Sequence, residues 1–230
     1  MLFRVKRLPL ILFCGLAHLA CGQPPRPAVK SSGPRQHAQE APGKFDYYVL
    51  ALSWSPQHCS GPGGQRDRFQ CAGERQFGFI VHGLWPQFER GYPENCSHDP
   101  GPDKTAIDAT LPIMPSPGLM RHEWSKHGTC TGLTSSQYFA QIRNTFAAIR
   151  IPEEYRTPLK RITTAPKDIE SKFVSANPGM TAQSVAVVCS NNGRFLQEVR
   201  LCLDKQMKPR PCSADVRDCR SPEIIMQPVR

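Results

Sequence analysis

The sequence predicts an α+β fold: a mainly antiparallel central sheet with several helices packed on it, stabilised by disulfides. Three observations carry this. Ser184 to Ser190 and Arg194 to Asp204 read as strands, and they flank Asn191-Asn192-Gly193, a strong hairpin signal. Helical and extended patterns do not alternate regularly along the rest of the chain, which disfavours a parallel sheet of βαβ units. Eight cysteines remain after an N-terminal segment that reads as a signal peptide, an even count that points to disulfides in an oxidising compartment.

Taken in order, residues 1–22 have the build of a signal peptide. Arg4, Lys6 and Arg7 open it, Leu8 to Ala20 is apolar, and Ala20-Cys21-Gly22 is a small-residue exit, with cleavage expected after Gly22. The apolar run is short for a membrane span. Cys21 as a lipid-modified first residue is the competing reading, and His18 stands where a lipobox prefers an aliphatic side chain. Gln23 to Gly43 is rich in Pro, Gly, Gln and basic residues, cannot bury enough surface to offset its ordering entropy, and is expected to be a flexible leader. The segments are thus a signal peptide over 1–22, a leader over 23–44, and the folded domain over 45–230.

Tyr47 to Trp54 is aromatic and apolar, like a buried strand. His58 to Cys71 reads as a Gly-rich loop, with a Cys59–Cys71 bridge expected to close it. Phe77 to His82 alternates, with Phe77, Phe79 and Val81 on one face and Ile80 and His82 on the other. This puts His82 at a strand end, just before a turn at Gly83. Gln87 to Pro115 is expected to be loop, and its Asn95-Cys96-Ser97 sequon has meaning only in a eukaryotic host. Ser116-Pro117 opens a helix as N-cap and N1 proline, and Gly128 is placed to close it. Thr134 or Ser135 caps a second helix whose Tyr138, Ile142, Phe146 and Ile149 repeat at helical spacing, like core. Pro166 to Ala176 reads as a third helix, stopped before Asn177-Pro178-Gly179, and Glu223 to Met226 as a short closing strand.

The 230 residues suit one domain. The formal charge is +10, and loss of Arg4, Lys6 and Arg7 with the signal peptide leaves +7. Such a field attracts polyanions, nucleic acid above all, although solubility alone also explains it. The expected location is secreted or periplasmic. Structural zinc is disfavoured, because no C-x₂-C pair occurs.

Two blocks hold the chemistry: Phe79 to Pro86 (FIVHGLWP) and His122 to Cys130 (HEWSKHGTC). On a helix Glu123 and His127 lie four apart, as do His122 and Lys126, while Glu123 and Lys126 lie three apart, so one narrow patch presents a carboxylate, an ammonium and an imidazole. A zinc-protease helix needs two histidines four apart, as H-E-x-x-H. Here the spacing is H-E-x-x-x-H, which splays the second imidazole away. Imidazoles suit proton transfer near neutral pH, and a lysine suits developing negative charge. That set fits RNA cleavage by its own 2′-OH, with no metal and no cofactor.

These blocks closely resemble the ribonuclease T2 family: His82 to Pro86 matches its His-Gly-Leu-Trp-Pro block, and His122 to Cys130 its His-Glu-(aromatic)-x-Lys-His-Gly-x-Cys block. The resemblance implies an α+β endoribonuclease that cleaves single-stranded RNA through a 2′,3′-cyclic phosphate. It implies His127 as general base, His82 as general acid, His122 as phosphate-binding histidine, and Glu123 with Lys126 as the pair that stabilises the transition state. It implies Trp85 as a stacking platform for a base. Some members carry a base-reading aspartate two residues later, where this chain has Gln87. It also implies Cys96–Cys130, Cys189–Cys219 and Cys202–Cys212 bridges, a choice that sequence alone cannot make among 105 connectivities. The expected partner is single-stranded RNA, and the expected state a monomer. A non-catalytic polyanion-binding protein, or a secreted effector on a disulfide scaffold, would share the charge and the cysteines. The first would be free to lose the histidines, and none is lost.

Overall fold

A computed structural model describes residues 41–229, so the expected signal peptide and most of the leader lie outside the described residues. Strands β1 (Tyr47–Trp54), β2 (Phe79–Gln87), β4 (Val185–Cys189) and β5 (Leu196–Leu203) form one antiparallel sheet in the order β2-β1-β5-β4. Strand β3 (Ile162–Thr164) pairs antiparallel with β6 (Ile224–Met226) in a second, two-stranded sheet. The α+β architecture is therefore as the sequence predicts.

The two faces of the larger sheet differ. Tyr48, Leu50, Leu52 and Trp54 of β1 join Val199, Leu201 and Leu203 of β5 in the main core. Helices α5 (Ser135–Ala148) and α6 (Pro166–Ala176) close that core with Tyr138, Phe139, Ile142, Ile169 and Phe173. Tyr47, Val49 and Cys202 form a smaller cluster with Trp85, in which Val49 pairs with both Trp85 and Cys202. The alternation of β1 thus supplies a thick core on one side and the floor of a cleft on the other.

Helix starts follow the expected caps. Ser116 accepts from Leu119 N at α4 (Pro117–Lys126), and Thr134 with Gln137 forms a capping box at α5. Three expectations need correction. The loop expected over 58–71 holds the end of α1 (Ser55–Ser60) and all of α2 (Arg68–Cys71), where Asp67 caps α2 by accepting from Gln70 N. The loop expected over 87–115 holds α3 (Lys104–Thr110), capped by Asp103 and anchored by buried Ala106, Ile107 and Thr110. Gly128 does not close α4, which ends at Lys126. His127 is the C-cap, and a 3₁₀ turn continues over Gly128–Cys130. Gly128 serves there by close packing, because a Cβ would overlap the Trp124 ring and lie 3.1 Å from Tyr138 Cδ1.

Among the described residues, four disulfides join Cys59–Cys71, Cys96–Cys130, Cys189–Cys219 and Cys202–Cys212. No helix among the described residues is long and apolar enough to cross a membrane.

Candidate active site

A bulge in β2 decides where His82 points. Ala51 pairs with Gly83, and the next residue, Leu52, pairs with Val81, so His82 is the unpaired extra residue. In an unbroken strand His82 and Leu84 would share a face. Leu84 lies in the main core, whereas His82 turns to the cleft face occupied by Trp85. The expectation of a strand end at His82 is therefore corrected: β2 continues to Gln87, and the chain does not turn at Gly83. Gly83 has a different use. A Cβ there would overlap both Glu123 Oε2 and Trp85 Nε1 and lie 2.9 Å from Trp85 Cδ1, so only glycine lets α4 approach this strand.

Helix α4 brings the second block to that edge. Met120 and Trp124 anchor it in the core, and Trp124 Nε1 donates to Asp99 Oδ1 at 2.8 Å. The carbonyl of Lys126 at the helix end accepts from Asn95 N at 2.8 Å, and the Cys96–Cys130 bridge ties the same loop to the 3₁₀ turn. His127 is thereby held from both sides.

The side chains then interlock. Trp85 Nε1 donates to Glu123 Oε2 at 2.6 Å. His82 Nε2 lies 3.6 Å from Glu123 Oε1, and His82 Nδ1 donates to Glu198 Oε1 at 2.6 Å. Arg200 Nε and Nη2 both donate to Glu198 Oε2, at 3.0 and 2.9 Å. The Trp85 ring stands beside both imidazoles, 5.3 Å from His82 and 5.4 Å from His127, with the Arg200 guanidinium 5.2 Å over it. Lys126 Nζ is 3.8 Å from Glu94 Oε2 and 5.9 Å from the Tyr92 ring centre. His82, Trp85, His122, Glu123, Lys126 and His127 all line one cavity of about 500 Å³. Asp215 and Gly91 also line it, and Asp215 accepts from Gly91 N at 2.6 Å.

The two imidazoles sit in opposite electrostatic settings. Burial pulls His127 down to about 3, and the nearby charges of Lys126, His82 and His122 add to that. Its Nδ1 is buried and finds no hydrogen-bond partner among the described residues, so none of them stabilises a second proton. Burial also acts to lower His82, but the hydrogen bond and charge of Glu198, with the charge of Glu123, outweigh it and raise the group above its ordinary value. Glu198 is buried, yet His82 and Arg200 overcome its desolvation and hold it down to about 2. Burial raises Glu123, against the opposing pull of His82 and the Trp85 hydrogen bond.

Sequence reasoning missed Glu198, Arg200 and Tyr92. One signal was available for the first two: opposite charges two apart, hence on one face, in a strand whose other residues apart from Gln197 are apolar. The charge expectation also sharpens. Residues 41–229 carry 22 Lys or Arg against 18 Asp or Glu, so the folded part owes little of its character to net charge. The basic groups that line the cleft itself are Lys126, Arg200 and Arg217.

A disulfide-bonded α+β domain that sets three histidines, buried carboxylates and cations around one cleft has the build of an acid–base enzyme acting on an anionic substrate. The sequence matches the Ribonuclease T2 family over residues 45–212, and the chain belongs to that family. It is 36% identical over 201 residues to a ribonuclease of Aeromonas hydrophila, covering 82% of this chain and 88% of that one. In fold it is similar to an RNase-related protein from Calystegia sepium, with a TM-score of 0.64, 23% identity, and 81% and 98% of the two chains covered. It is similar also to RNase NT, solved in complex with 5′-AMP, with a TM-score of 0.63, 23% identity, and 81% and 100% covered.

Proposed function

We propose that the protein is an endoribonuclease that cleaves single-stranded RNA by transphosphorylation through a 2′,3′-cyclic phosphate, using imidazole acid–base catalysis without metal. The observation that carries this is the unequal pair of histidines beside Trp85. His127, held neutral by burial, takes the proton from the ribose 2′-OH as its oxygen bonds to phosphorus. His82, held protonated by Glu198, gives a proton to the 5′-oxygen as the P–O5′ bond breaks. The roles exchange when water opens the cyclic phosphate. Lys126 and His122 neutralise the phosphate, and Glu123 faces the same oxygens. Burial raises Glu123 above its ordinary value, and the charge of His82 and the Trp85 hydrogen bond pull the other way. Trp85 spaces the imidazoles and offers a ring to a base. Family membership and the likeness to the Aeromonas ribonuclease support the activity. The signal-like segment over 1–22 and the four disulfides support a secreted or periplasmic location.

The test is the pH dependence of kcat/KM on a short RNA in EDTA. Activity needs neutral His127 and protonated His82. It is therefore lost as pH falls through the His127 value, about 3, and as pH rises through the elevated His82 value. Activity at pH 4 is expected to stay near its plateau. An imidazole of ordinary pKa would be neutral there in only about 0.3% of molecules. An acid limb near the ordinary histidine value would contradict the assignment of His127 as a buried base.

A further inference from the structure

Glu198 touches no part of the cavity that a phosphate would occupy, yet it is the partner His82 meets at closest range. It lies on β5, 116 residues from His82 in sequence, and it is 2% exposed. Its Oε1 accepts from His82 Nδ1 at 2.6 Å and from Ser53 Oγ at 3.4 Å, while Oε2 accepts both prongs of the Arg200 fork. The strand register explains the cluster. Ser53 pairs with Glu198 and Ala51 with Arg200, next to the bulge that frees His82. A buried carboxylate bonded from both sides has no freedom to swing, so the His82 ring plane is fixed by a rigid partner. Other charged or titratable groups also face His82: Glu123 on α4, 3.6 Å from Nε2, then Arg200 beside Glu198, and the neutral His127 at the end of α4. Glu198 alone of these is hydrogen-bonded to Nδ1, the nitrogen turned away from the reacting atoms.

We propose that Glu198, locked by Arg200, is a positioning residue that keeps His82 bonded through Nδ1 and so presents Nε2–H to the leaving 5′-oxygen. It does for this acid what a buried carboxylate does for the histidine of a hydrolytic triad: it sets tautomer and orientation and stabilises the imidazolium, without itself taking the proton. The inference rests on the reading of His82 as the acid, so its test has to tell the two apart.

Two substrates do so. A dinucleoside monophosphate expels a 5′-alkoxide and needs an acid, whereas a nucleoside 3′-(4-nitrophenyl phosphate) expels a phenolate and does not. Glu198→Gln is expected to lower kcat on the dinucleotide by about 10–100-fold and on the nitrophenyl ester by less than about threefold. It is also expected to move the basic limb of kcat/KM to lower pH, because a neutral amide no longer holds the imidazolium. Glu198→Asp, which keeps the charge but shortens the reach, is expected to recover part of the loss. Equal losses on both substrates, or an unmoved basic limb, would overturn the role of Glu198. His82→Ala, run beside it, isolates the underlying reading. If His82→Ala is itself insensitive to the leaving group, the acid assignment falls. If His82→Ala is selective and Glu198→Gln is not, only the positioning role falls. A readout without any variant comes from imidazole ¹H–¹⁵N spectra of the intact protein near about pH 6. Protons on both His82 nitrogens, with Nδ1–H shifted far downfield, are expected, and a bare Nδ1 would contradict the proposal even if Glu198→Gln fails to fold.

Discussion

Alanine at His127 is expected to lower kcat on single-stranded RNA by about 10²–10⁴-fold, and alanine at His82 by a similar factor, with Kd for RNA changed less than about threefold. Each histidine moves a proton in the transition state, while ground-state contact with phosphate falls to Lys126, His122 and Arg200 around the same cavity. The factor corresponds to about 3–5 kcal/mol of barrier. The two variants should differ in pH dependence. His127→Ala removes the base and with it the acid limb. His82→Ala removes the basic limb and also takes a repelling positive charge away from His127, so the His127 value rises and the acid limb moves to higher pH. Steady-state kinetics beside equilibrium RNA binding checks this. A loss of binding that matches the loss of turnover in both variants would contradict the assigned roles. The double variant should be little worse than either single one, because the two groups act in one concerted transfer.

Gly83→Ala is expected to lower kcat by about 10²-fold although Gly83 contributes no functional group. Its Cβ would overlap Glu123 Oε2 and Trp85 Nε1, atoms joined to each other by a 2.6 Å hydrogen bond. Neither can yield cheaply. Glu123 is buried, and the indole is wedged beside His82 and His127. Relief therefore requires α4 to move away from β2, which carries His122, Lys126 and His127 out of register with His82. Overpacking of this kind costs about 1–3 kcal/mol of stability, so the variant should remain folded with a lowered Tm. Kinetics and thermal melting on one preparation test the pair of effects. Full activity in a folded Gly83→Ala protein would show that the close approach of helix and strand is not needed.

Elements with a local signal are legible in the sequence, and features set by non-local pairing are not. Tyr47–Trp54, the Ser116-Pro117 start of α4, the Thr134 cap of α5 and the Pro166–Ala176 helix each carry their own cap or periodicity, so a short window contains the answer. The second motif was legible as chemistry for the same reason, since helical spacing alone gathers Glu123 and Lys126. The bulge at His82 was not, because it is a property of the register between β1 and β2 and leaves no mark on either strand alone. Alternation alone would have left His82 on the same face as Leu84. Glu198 and Arg200 reach the site only through the pairing of β1 with β5. Strand β3 has three residues and exists by pairing with β6, while α3 lies among Pro, Gly and Asp that mask its few apolar positions. The sequence presents Gly83 and Gly128 as turn and cap residues, whereas what the fold uses is their lack of a side chain where α4 meets its neighbours.

The most direct test of metal-free cleavage through a cyclic intermediate is end-group analysis of a defined single-stranded RNA digested by the purified protein in EDTA. The account predicts unabated cleavage, 2′,3′-cyclic phosphate on the 5′ fragments early in the reaction, their later conversion to 3′-phosphate, and 5′-hydroxyl on the 3′ fragments. Cleavage abolished by EDTA, or fragments ending in 5′-phosphate and 3′-hydroxyl, would contradict it.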